Sequence, residues 1–417
     1  MTLTAFILLS IALILIVGSV AMKSDLFSPA KIFTIIWAIT LGLAELKFSR
    51  LQHDWNGFGW LMLGVGIFSF LLGSFVVYVI NYEKEIKPIS SIRSSFKIYP
   101  IDKSKFRFII IVIFSVYFLS LLGNYLIEGY LPLFHDNAAE SRAFWGVFGI
   151  GLSVHAATSV IILAVGFLII GKLKGKEKFL IILLIIISFI SYLTLLQRFN
   201  LIFAIISAGI VTYYTSNAFR TRNVIFFFLI IFALMYSVQY LRTSSIVSAY
   251  LFNLAQMKID PKYAVITEPY MYFAMNPENF VRAVNRIQEH TFGYYSFNFI
   301  LSITGIKRMV TDYFVFNNFP FLNSSYNTYS AFWDYYRDFG IWGLSIIQFV
   351  LGFFISTVYY KLRTNPSIVN LMIYAICAFV ITISFFVNTI GLLHFIFNST
   401  LIIASAKYIE KTLVEKV

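Results

Sequence analysis

The sequence predicts an all-α integral membrane protein with about 11 transmembrane helices, or 12 if one further span is counted. Two features of its composition favour this fold class. Of the 417 residues, 59% are hydrophobic and only 12% are charged, whereas a soluble domain is about 25% charged. In addition, apolar runs of membrane-spanning length recur along most of the chain, separated by short polar segments.

The apolar runs define the predicted spans. They cover about 3–22, 32–46, 59–80, 107–126, 151–170, 179–196, 200–217, 223–241, 341–360, 368–387 and 392–407. We therefore expect residues 1–417 to form a single polytopic membrane domain. A large loop over 242–340, with short amphipathic helices, is inserted between the eighth and ninth spans. The first run has no basic region before it, which predicts a retained helix rather than a signal peptide.

The basic residues predict the orientation of the spans. Most of the 32 lysine and arginine residues lie on the side that holds the polar segment 81–107, and basic loops face the cytoplasm. The loops at 127–149 and 242–340 and the turn at Arg198 are then extracytoplasmic. Since this bias accounts for the net charge of +13, nucleic acid is not an expected partner.

Several classes of site are not predicted. The one cysteine, Cys377, excludes an internal disulfide framework and a multi-cysteine metal site. The sequence has no nucleotide-binding glycine loop, no Gly-x-Ser-x-Gly motif and no convincing metal-ligand spacing, so we expect neither a metal nor a cofactor. Charged residues are scarce within the spans and no internal repeat is visible, which disfavours a transporter.

Two arginines are candidates for binding a diphosphate. Arg198 lies between two long apolar runs, in a turn too short to leave the membrane interface. An arginine at the centre of a membrane helix costs about 2.5–3.5 kcal/mol, so one near that depth usually has a partner or a task. Arg242 follows the eighth span and is expected at a similar depth. Two guanidinium groups at one level can bind phosphate oxygens, although either residue could simply snorkel to the interface.

The segment 276–290 predicts an amphipathic helix that Asn276 caps and Pro277 begins. The spacing of four residues places Arg282, Arg286 and His290 on one face. That face could bind lipid phosphates or an anionic glycan, and it could equally be a solvated basic stripe.

Further loop residues are candidates for acid–base chemistry and for sugar binding. A base for a sugar hydroxyl could be Asp338, Asp334, His290 or Glu268. Either aspartate could instead pair with an arginine. The candidate sugar-binding residues are Tyr270, Tyr272, Tyr329, Trp333, Tyr336 and Arg337. An interfacial belt of aromatic residues produces the same composition without a ligand.

Three stretches are similar to one bacterial family. They are Leu196-Gln-Arg198-Phe-Asn-Leu-Ile-Phe203, Glu268-Pro-Tyr-Met-Tyr-Phe-Ala-Met-Asn-Pro-Glu-Asn-Phe280, and Asn327-Thr-Tyr329 followed by Tyr335-Tyr-Arg-Asp338-Phe-Gly-Ile-Trp-Gly343. With the plan of about a dozen spans and one large loop before the last three, the chain resembles Wzy-type polymerases of O-antigen or capsule repeat units. The resemblance covers most of the chain as architecture but few residues as motif.

The resemblance implies a glycosyltransferase of the bacterial cytoplasmic (inner) membrane that works on its outer face. Such enzymes move a growing glycan from undecaprenyl diphosphate to the non-reducing end of an undecaprenyl-diphosphate-linked repeat unit, without a metal. The resemblance implies that the diphosphate is bound by Arg198, Arg242, Arg282 and Arg286. The resemblance also implies a chain-length regulator and a flippase as partners. The alternatives are an O-antigen ligase or another lipid-linked glycosyltransferase, and a flippase or exporter of lipid-linked sugars.

Overall fold

A computed structural model describes residues 2–217, 233, 247–287, 289–307, 309–310, 321–322 and 326–414. In these ranges the chain is helical, and its only β-structure is an isolated bridge between Ser49 and Met257. Six of the described helices are long and apolar enough to cross a membrane. An all-α protein with membrane-spanning helices is thereby confirmed. The count of 11 spans and the extent of the loop stay predictions, and the predicted span at 223–241 lies outside the described residues apart from residue 233.

The described α-helices are numbered here in chain order. They are α1 (Leu3–Ala21), α2 (Pro29–Ala44), α3 (Gly57–Ile80), α4 (Ile89–Lys97), α5 (Lys103–Glu128), α6 (Ala138–Phe144), α7 (Ala157–Ile170), α8 (Gly175–Leu193), α9 (Arg198–Thr215), α10 (Val247–Leu254), α11 (Thr267–Arg286), α12 (Asn298–Thr304), α13 (Ala331–Thr364), α14 (Ile368–Ile383) and α15 (Leu393–Val414). Short 3₁₀ turns cover Pro132–Phe134, Gly151–Ala156 and Pro261–Ile266.

The largest difference from the predicted spans is at α13. The sequence predicts its start at about 341, whereas the helix begins at Ala331 and is kinked where Phe339 and Gly340 leave helical geometry. The charged residues before the kink interrupt the apolar pattern, so the pattern alone marks only the part after it. Gly340 has φ +63° and ψ −149°, a conformation that is essentially restricted to glycine.

The chain forms two compact units, which are described separately. The first unit comprises Met1–Lys84, Ile246–Tyr359 and Val380–Leu393. The second unit comprises Glu85–Ser245, Tyr360–Phe379 and His394–Val417. Arg198 belongs to the second unit, and the described candidate residues of the predicted loop belong to the first.

Stacked aromatic rings hold the helices of the first unit together. Phe33 of α2 stacks on Phe70 of α3 with ring centres 3.9 Å apart. Trp37, one turn further along α2, stacks on Phe332 of α13 at 4.1 Å. The indole N–H of Trp37 donates to the Ser384 hydroxyl over 3.1 Å. Large rings therefore pack between α2, α3 and α13. The polar atom of these rings, the indole nitrogen of Trp37, has a hydrogen-bond partner.

Glycines bring α3 and α13 into backbone contact. A Cβ atom on Gly352 would lie 2.0 Å from the carbonyl oxygen of Phe70, and one on Gly73 would lie 2.1 Å from that of Phe349. Side chains of any size are excluded at both positions. Small residues of this kind are typical of helix contacts in membranes, where close approach increases the van der Waals attraction.

In the second unit, α7 is the central helix and packs against α5, α8 and α9. It is largely buried, in contrast to α1 and α5, which expose most of their apolar side chains. Ser159 of α7 donates to the Asn398 side chain of α15 over 2.7 Å. This pair of polar side chains therefore links two helices of the bundle.

The glycine contact predicts that Gly352→Ala destabilises the protein. The new methyl group must displace the backbone of α3, and overpacking of this kind costs about 1–3 kcal/mol. We expect a lower melting temperature for the purified protein in detergent, measured by intrinsic fluorescence.

Gly64→Ala is the matched control, because Gly64 is exposed on α3 and a Cβ atom added there would have no neighbour within 4 Å. This variant should melt at the wild-type temperature or slightly above it, since alanine favours helix. Equal melting temperatures for Gly352→Ala and the wild type would contradict the close contact.

Candidate active site

Helices α11 and α13 carry most of the candidate residues of the first unit, and α11 comes first in the chain. The prediction that Asn276 caps this helix and Pro277 begins it is wrong, because α11 begins at Thr267 and both residues lie inside it. The physical reason is tertiary: the amide of Asn276 donates to the Tyr272 carbonyl over 2.6 Å and accepts from the Thr328 hydroxyl over 2.7 Å. Asn276 therefore forms contacts inside the fold and does not cap the helix.

Asn279 holds the chain that leads into α13. Its amide nitrogen donates to the carbonyls of Tyr326 and Thr328, each over 2.8 Å. Its amide oxygen accepts from the backbone N–H of Leu322 over 2.7 Å. Since Asn279 is fully buried, this one side chain satisfies three backbone groups that would otherwise lose hydrogen bonds.

A buried carboxylate organises the charges on the same helix. Glu278 is 1% exposed. It accepts from the backbone N–H of His53 over 3.0 Å and from the indole N–H of Trp55 over 2.7 Å. The ammonium of Lys47 lies 3.5 Å from Glu278 and 4.5 Å from the centre of the Trp55 ring. The carboxylate is thereby held by donors and by a cation, as a buried charge must be.

The predicted basic face of α11 is not uniform, because its two arginines have different surroundings. Arg282 lies 3.7 Å from the Glu278 carboxylate and donates to the Leu51 carbonyl over 2.7 Å. Arg286 is exposed in the last turn. His290 does not share that face as the sequence predicts, because α11 ends at Arg286. Arg282 has internal partners, so Arg286 is the more accessible of the two predicted diphosphate ligands.

The remaining candidates on α11 make contacts that hold the fold. The Tyr270 hydroxyl donates to Gln52 over 2.6 Å and accepts from the backbone N–H of Phe48 over 3.0 Å. Burial raises the pKa of Tyr270 above its ordinary value, so it remains a donor. Tyr272 packs against Phe386 with ring centres 5.3 Å apart. Glu268 is 9% exposed in the first turn.

Asp338 anchors the segment 291–296. One of its carboxylate oxygens accepts from the Thr291 hydroxyl over 2.5 Å and from the Tyr295 N–H over 3.2 Å. The other oxygen accepts from the Ser296 N–H over 2.6 Å. Asp338 is completely buried. Both oxygens of this candidate base are therefore occupied by donors of one short segment, which favours a structural role.

Arg337 is buried next to the same segment. It is 2% exposed, and it donates to the Glu289 carbonyl over 2.6 Å. Its guanidinium carbon lies 5.9 Å from the centre of the Trp333 ring. His290 Nδ1 is 3.3 Å from the Arg337 carbonyl oxygen. The positive charge of Arg337 thus lies among aromatic rings and carbonyl groups rather than in solvent.

Asp334 precedes Asp338 by four residues. Both lie in α13 before its kink, and the spacing of four residues places them on one face of that helix. Asp334 is partly exposed, whereas Asp338 is buried. Of the two candidate bases on α13, Asp334 is the more accessible one.

Aromatic rings form a row along this part of the first unit. Tyr329 stacks on Trp333 at 4.8 Å between ring centres, and Trp333 lies nearly parallel to Tyr336 at 6.5 Å. Phe321 lies 5.0 Å from Tyr329, and His290 lies 6.4 Å from Tyr336. Tyr329 and Tyr336 are partly exposed while Trp333 is buried. The row offers tyrosine faces and edges that suit the apolar faces of sugar rings.

In the second unit, Arg198 is the first residue of α9 and is partly buried. The backbone N–H groups of a first helical turn have no partners within the helix and carry a partial positive charge. Arg198 adds a full charge to that end. The other predicted cation, Arg242, lies outside the described residues.

A cluster of polar side chains lies at the same end of the second unit. We define the polar cluster as His155, Tyr192, Gln197, Asn200 and His394. The Asn200 amide donates to the Tyr192 hydroxyl over 2.6 Å and to His155 Nδ1 over 2.9 Å. The Tyr192 hydroxyl lies 2.7 Å from His155 Nδ1 and donates to Gln197 over 3.1 Å. The rings of His155 and His394 are 5.2 Å apart.

The sequence does not single out the polar cluster. One signal is present in it: His155 and His394 are isolated polar residues at the ends of apolar runs, where ionisable side chains usually have a function. Their meeting in space cannot be read from the sequence, because they come from distant parts of the chain.

The structure therefore brings together two groups of candidates. In the first unit, Arg337 and Asp338 contact the segment 291–296, and the aromatic row lies next to Arg337 and His290. In the second unit, Arg198 lies beside the polar cluster. Over the described residues, no group of three or more His, Cys, Asp or Glu side chains is arranged to hold a metal ion.

Comparisons with known proteins do not identify a family. No protein-family model, no curated protein and no solved structure matches the chain significantly.

The contacts of Asp338 predict that Asp338→Asn loosens the segment 291–296. The amide replaces an acceptor with a donor that faces other donors, and each unsatisfied buried group costs about 1–3 kcal/mol. We expect the amides of Tyr295 and Ser296 to exchange hydrogen roughly 10- to 100-fold faster, measured by hydrogen–deuterium exchange.

Asp136→Asn, at an exposed aspartate in the 127–149 segment, should leave the exchange of those amides unchanged. If Asp338→Asn loses activity while the Tyr295 and Ser296 amides exchange at the wild-type rate, Asp338 takes part in the reaction and does not stabilise this segment.

Proposed function

We propose that the protein polymerises lipid-linked oligosaccharide repeat units at the outer face of the bacterial cytoplasmic membrane. It transfers the growing glycan from undecaprenyl diphosphate to the non-reducing end of an undecaprenyl-diphosphate-linked repeat unit, in the synthesis of O-antigen, capsule or exopolysaccharide. The observation that carries the proposal is the position of Arg198 at the start of a membrane-length helix, beside a cluster of polar side chains.

Arg198 supports binding of a diphosphate at the depth of a lipid headgroup. A guanidinium offers a planar set of donors that matches two phosphate oxygens at once. The first-turn N–H groups of α9 and the helix dipole favour an anion at the same end. A cation that meets the charge developing on the leaving diphosphate stabilises the transition state more than the ground state.

The proposed reaction forms one bond, breaks one bond and moves one proton. The acceptor hydroxyl forms a bond to the anomeric carbon of the donor glycan, and the bond from that carbon to the diphosphate oxygen breaks. The electron pair leaves with undecaprenyl diphosphate, and the hydroxyl proton passes to a base. No nucleotide is consumed, because the lipid-linked donor is already activated.

The aromatic row and Arg337 support binding of the glycan. Tyr329 and Tyr336 offer partly exposed rings, and Arg337 adds positive charge behind Trp333. Stacking on sugar faces tolerates differences in substitution, which suits an enzyme that must bind several sugars of a repeat unit. The proposed function includes a chain-length regulator and a flippase as partners of the protein.

The proposal predicts that Arg198→Ala abolishes polymerisation in a deletion strain complemented with the variant. Losing a donor to developing charge lowers turnover by about 10²- to 10³-fold. We expect single lipid-linked repeat units to accumulate and the polysaccharide ladder on a gel to disappear, at normal membrane levels of the protein. Arg198→Lys keeps the charge without the planar donor set, so it should restore only part of the ladder.

Arg50→Ala is the control, because the Arg50 side chain is exposed in the first unit, and it should restore the full ladder. A full ladder with Arg198→Ala would contradict the proposed site. Lipid-linked polymer accumulating in the deletion strain would instead indicate a ligase, and absence of repeat units from the outer face would indicate an exporter.

The aromatic row predicts that Tyr336→Ala weakens binding of the acceptor glycan. Losing about 1.4 kcal/mol of ring contact corresponds to a tenfold change. We expect the KM for lipid-linked repeat units to rise by about that factor, with a smaller change in kcat, in assays of the purified protein. Tyr82→Ala, at a strongly exposed tyrosine, should leave both constants unchanged, and an unchanged KM for Tyr336→Ala would remove this ring from the binding site.

A further inference from the structure

The polar cluster is built at the meeting point of four helix ends in the second unit. His155 lies in the 3₁₀ turn Gly151–Ala156 that leads into α7, and Tyr192 lies in the last turn of α8. Asn200 lies in the first turn of α9, and His394 lies in the first turn of α15. The sequence predicts all four ends to be extracytoplasmic, the side on which the lipid-linked substrates of the proposed function are found.

The contacts of the cluster orient the His155 ring through its Nδ1 atom. An asparagine amide nitrogen is always a donor, so His155 Nδ1, at 2.9 Å from Asn200 Nδ2, is the acceptor. The proton of the neutral ring is then on Nε2. The Tyr192 hydroxyl, itself buried, also contacts Nδ1 at 2.7 Å. These two contacts at Nδ1 hold the His155 ring in one orientation within the cluster.

His394 differs from His155 in one respect. Its ring lies 5.2 Å from the His155 ring and 5.1 Å from the Phe199 ring. Its Nε2 atom is buried and has no hydrogen-bond partner among the residues that the structure describes. A buried ring nitrogen without a partner costs free energy, and in a native fold such an atom calls for an explanation.

The place of His394 beside the start of α9 supplies an explanation for this nitrogen, which has no partner among the described residues. Phe199, whose ring His394 contacts, is the residue next to Arg198 in the first turn of α9. His394 thus packs against the residue that directly follows the candidate cation for the diphosphate in the chain. By contrast, both carboxylate oxygens of Asp338 are already occupied by Thr291, Tyr295 and Ser296.

We propose that His394 is the base of the glycosyl transfer. As the acceptor oxygen bonds to the anomeric carbon, the hydroxyl proton passes to the lone pair on His394 Nε2. The bond from the anomeric carbon to the diphosphate breaks, and its electron pair leaves with the diphosphate beside Arg198. The imidazolium then returns its proton to the released diphosphate or to water. This assignment rests on the proposed function.

The test uses the purified full-length protein in lipid nanodiscs, with undecaprenyl-diphosphate-linked repeat units extracted from the deletion strain. His394→Ala should lower the rate of polymer formation by about 10²- to 10⁴-fold, the usual contribution of a general base. Added imidazole should restore a substantial part of this rate, because it can occupy the space left by the ring. His394→Gln, which keeps a polar side chain but cannot carry the proton, should be as slow as His394→Ala and should not respond to imidazole.

Three controls keep the outcomes distinct. His135→Ala, at an exposed histidine, should react at the wild-type rate with or without imidazole. Size-exclusion profiles should show that each His394 variant is folded. Arg198→Ala should be slow and should not respond to imidazole, because it lacks a cation rather than a base.

The outcomes separate this inference from the function on which it rests. If the wild-type protein forms no polymer, the proposed function fails and the assignment fails with it. If the wild type is active and either His394 variant retains its rate, or if folded His394→Ala is slow and imidazole does not restore it, the proposed function stands and His394 is not the base.

Discussion

A polar side chain below the surface of a membrane must find its hydrogen-bond partner inside the protein, because no water is present there to supply one. The same need holds for any buried polar side chain, and both units provide examples. In the first unit, Asn279 satisfies three backbone groups and Asp338 accepts three hydrogen bonds from the segment 291–296. In the second unit, Asn200 links Tyr192 to His155. Pairs and short networks of this kind hold the described polar side chains in both units.

This constraint separates structural residues from candidates for chemistry. Glu278 and Asp338 are buried charges with internal partners, and the partly buried Arg282 has internal partners too. Arg198 and His394 lie where helix ends of one bundle meet and where the helix dipole of α9 favours an anion. A site for a lipid diphosphate needs a cation and a base at headgroup depth, and this end of the second unit provides both residue types.

The sequence predicts the long apolar helices well, because the length of an apolar run is a direct consequence of membrane thickness. The bounds of α1, α3 and α9 differ from the predicted spans by only a few residues. Arg198 can be found for the same reason, as a lone charge between two such runs. The start of α11 is mispredicted because Asn276 and Pro277 have the local pattern of a helix start, whereas contacts to Thr328 and Tyr272 give Asn276 another role. The polar cluster is not predicted because its members are brought together by packing of helices from distant parts of the chain.

The central claim is that one lipid-linked glycan is transferred to another by this protein alone. The most direct measurement mixes the purified protein in nanodiscs with undecaprenyl-diphosphate-linked repeat units and analyses the products by mass spectrometry. We expect glycans of two and more repeats on undecaprenyl diphosphate, with one free undecaprenyl diphosphate released for each linkage formed. Repeat units that remain single, with no free undecaprenyl diphosphate released by a folded protein, would contradict the account.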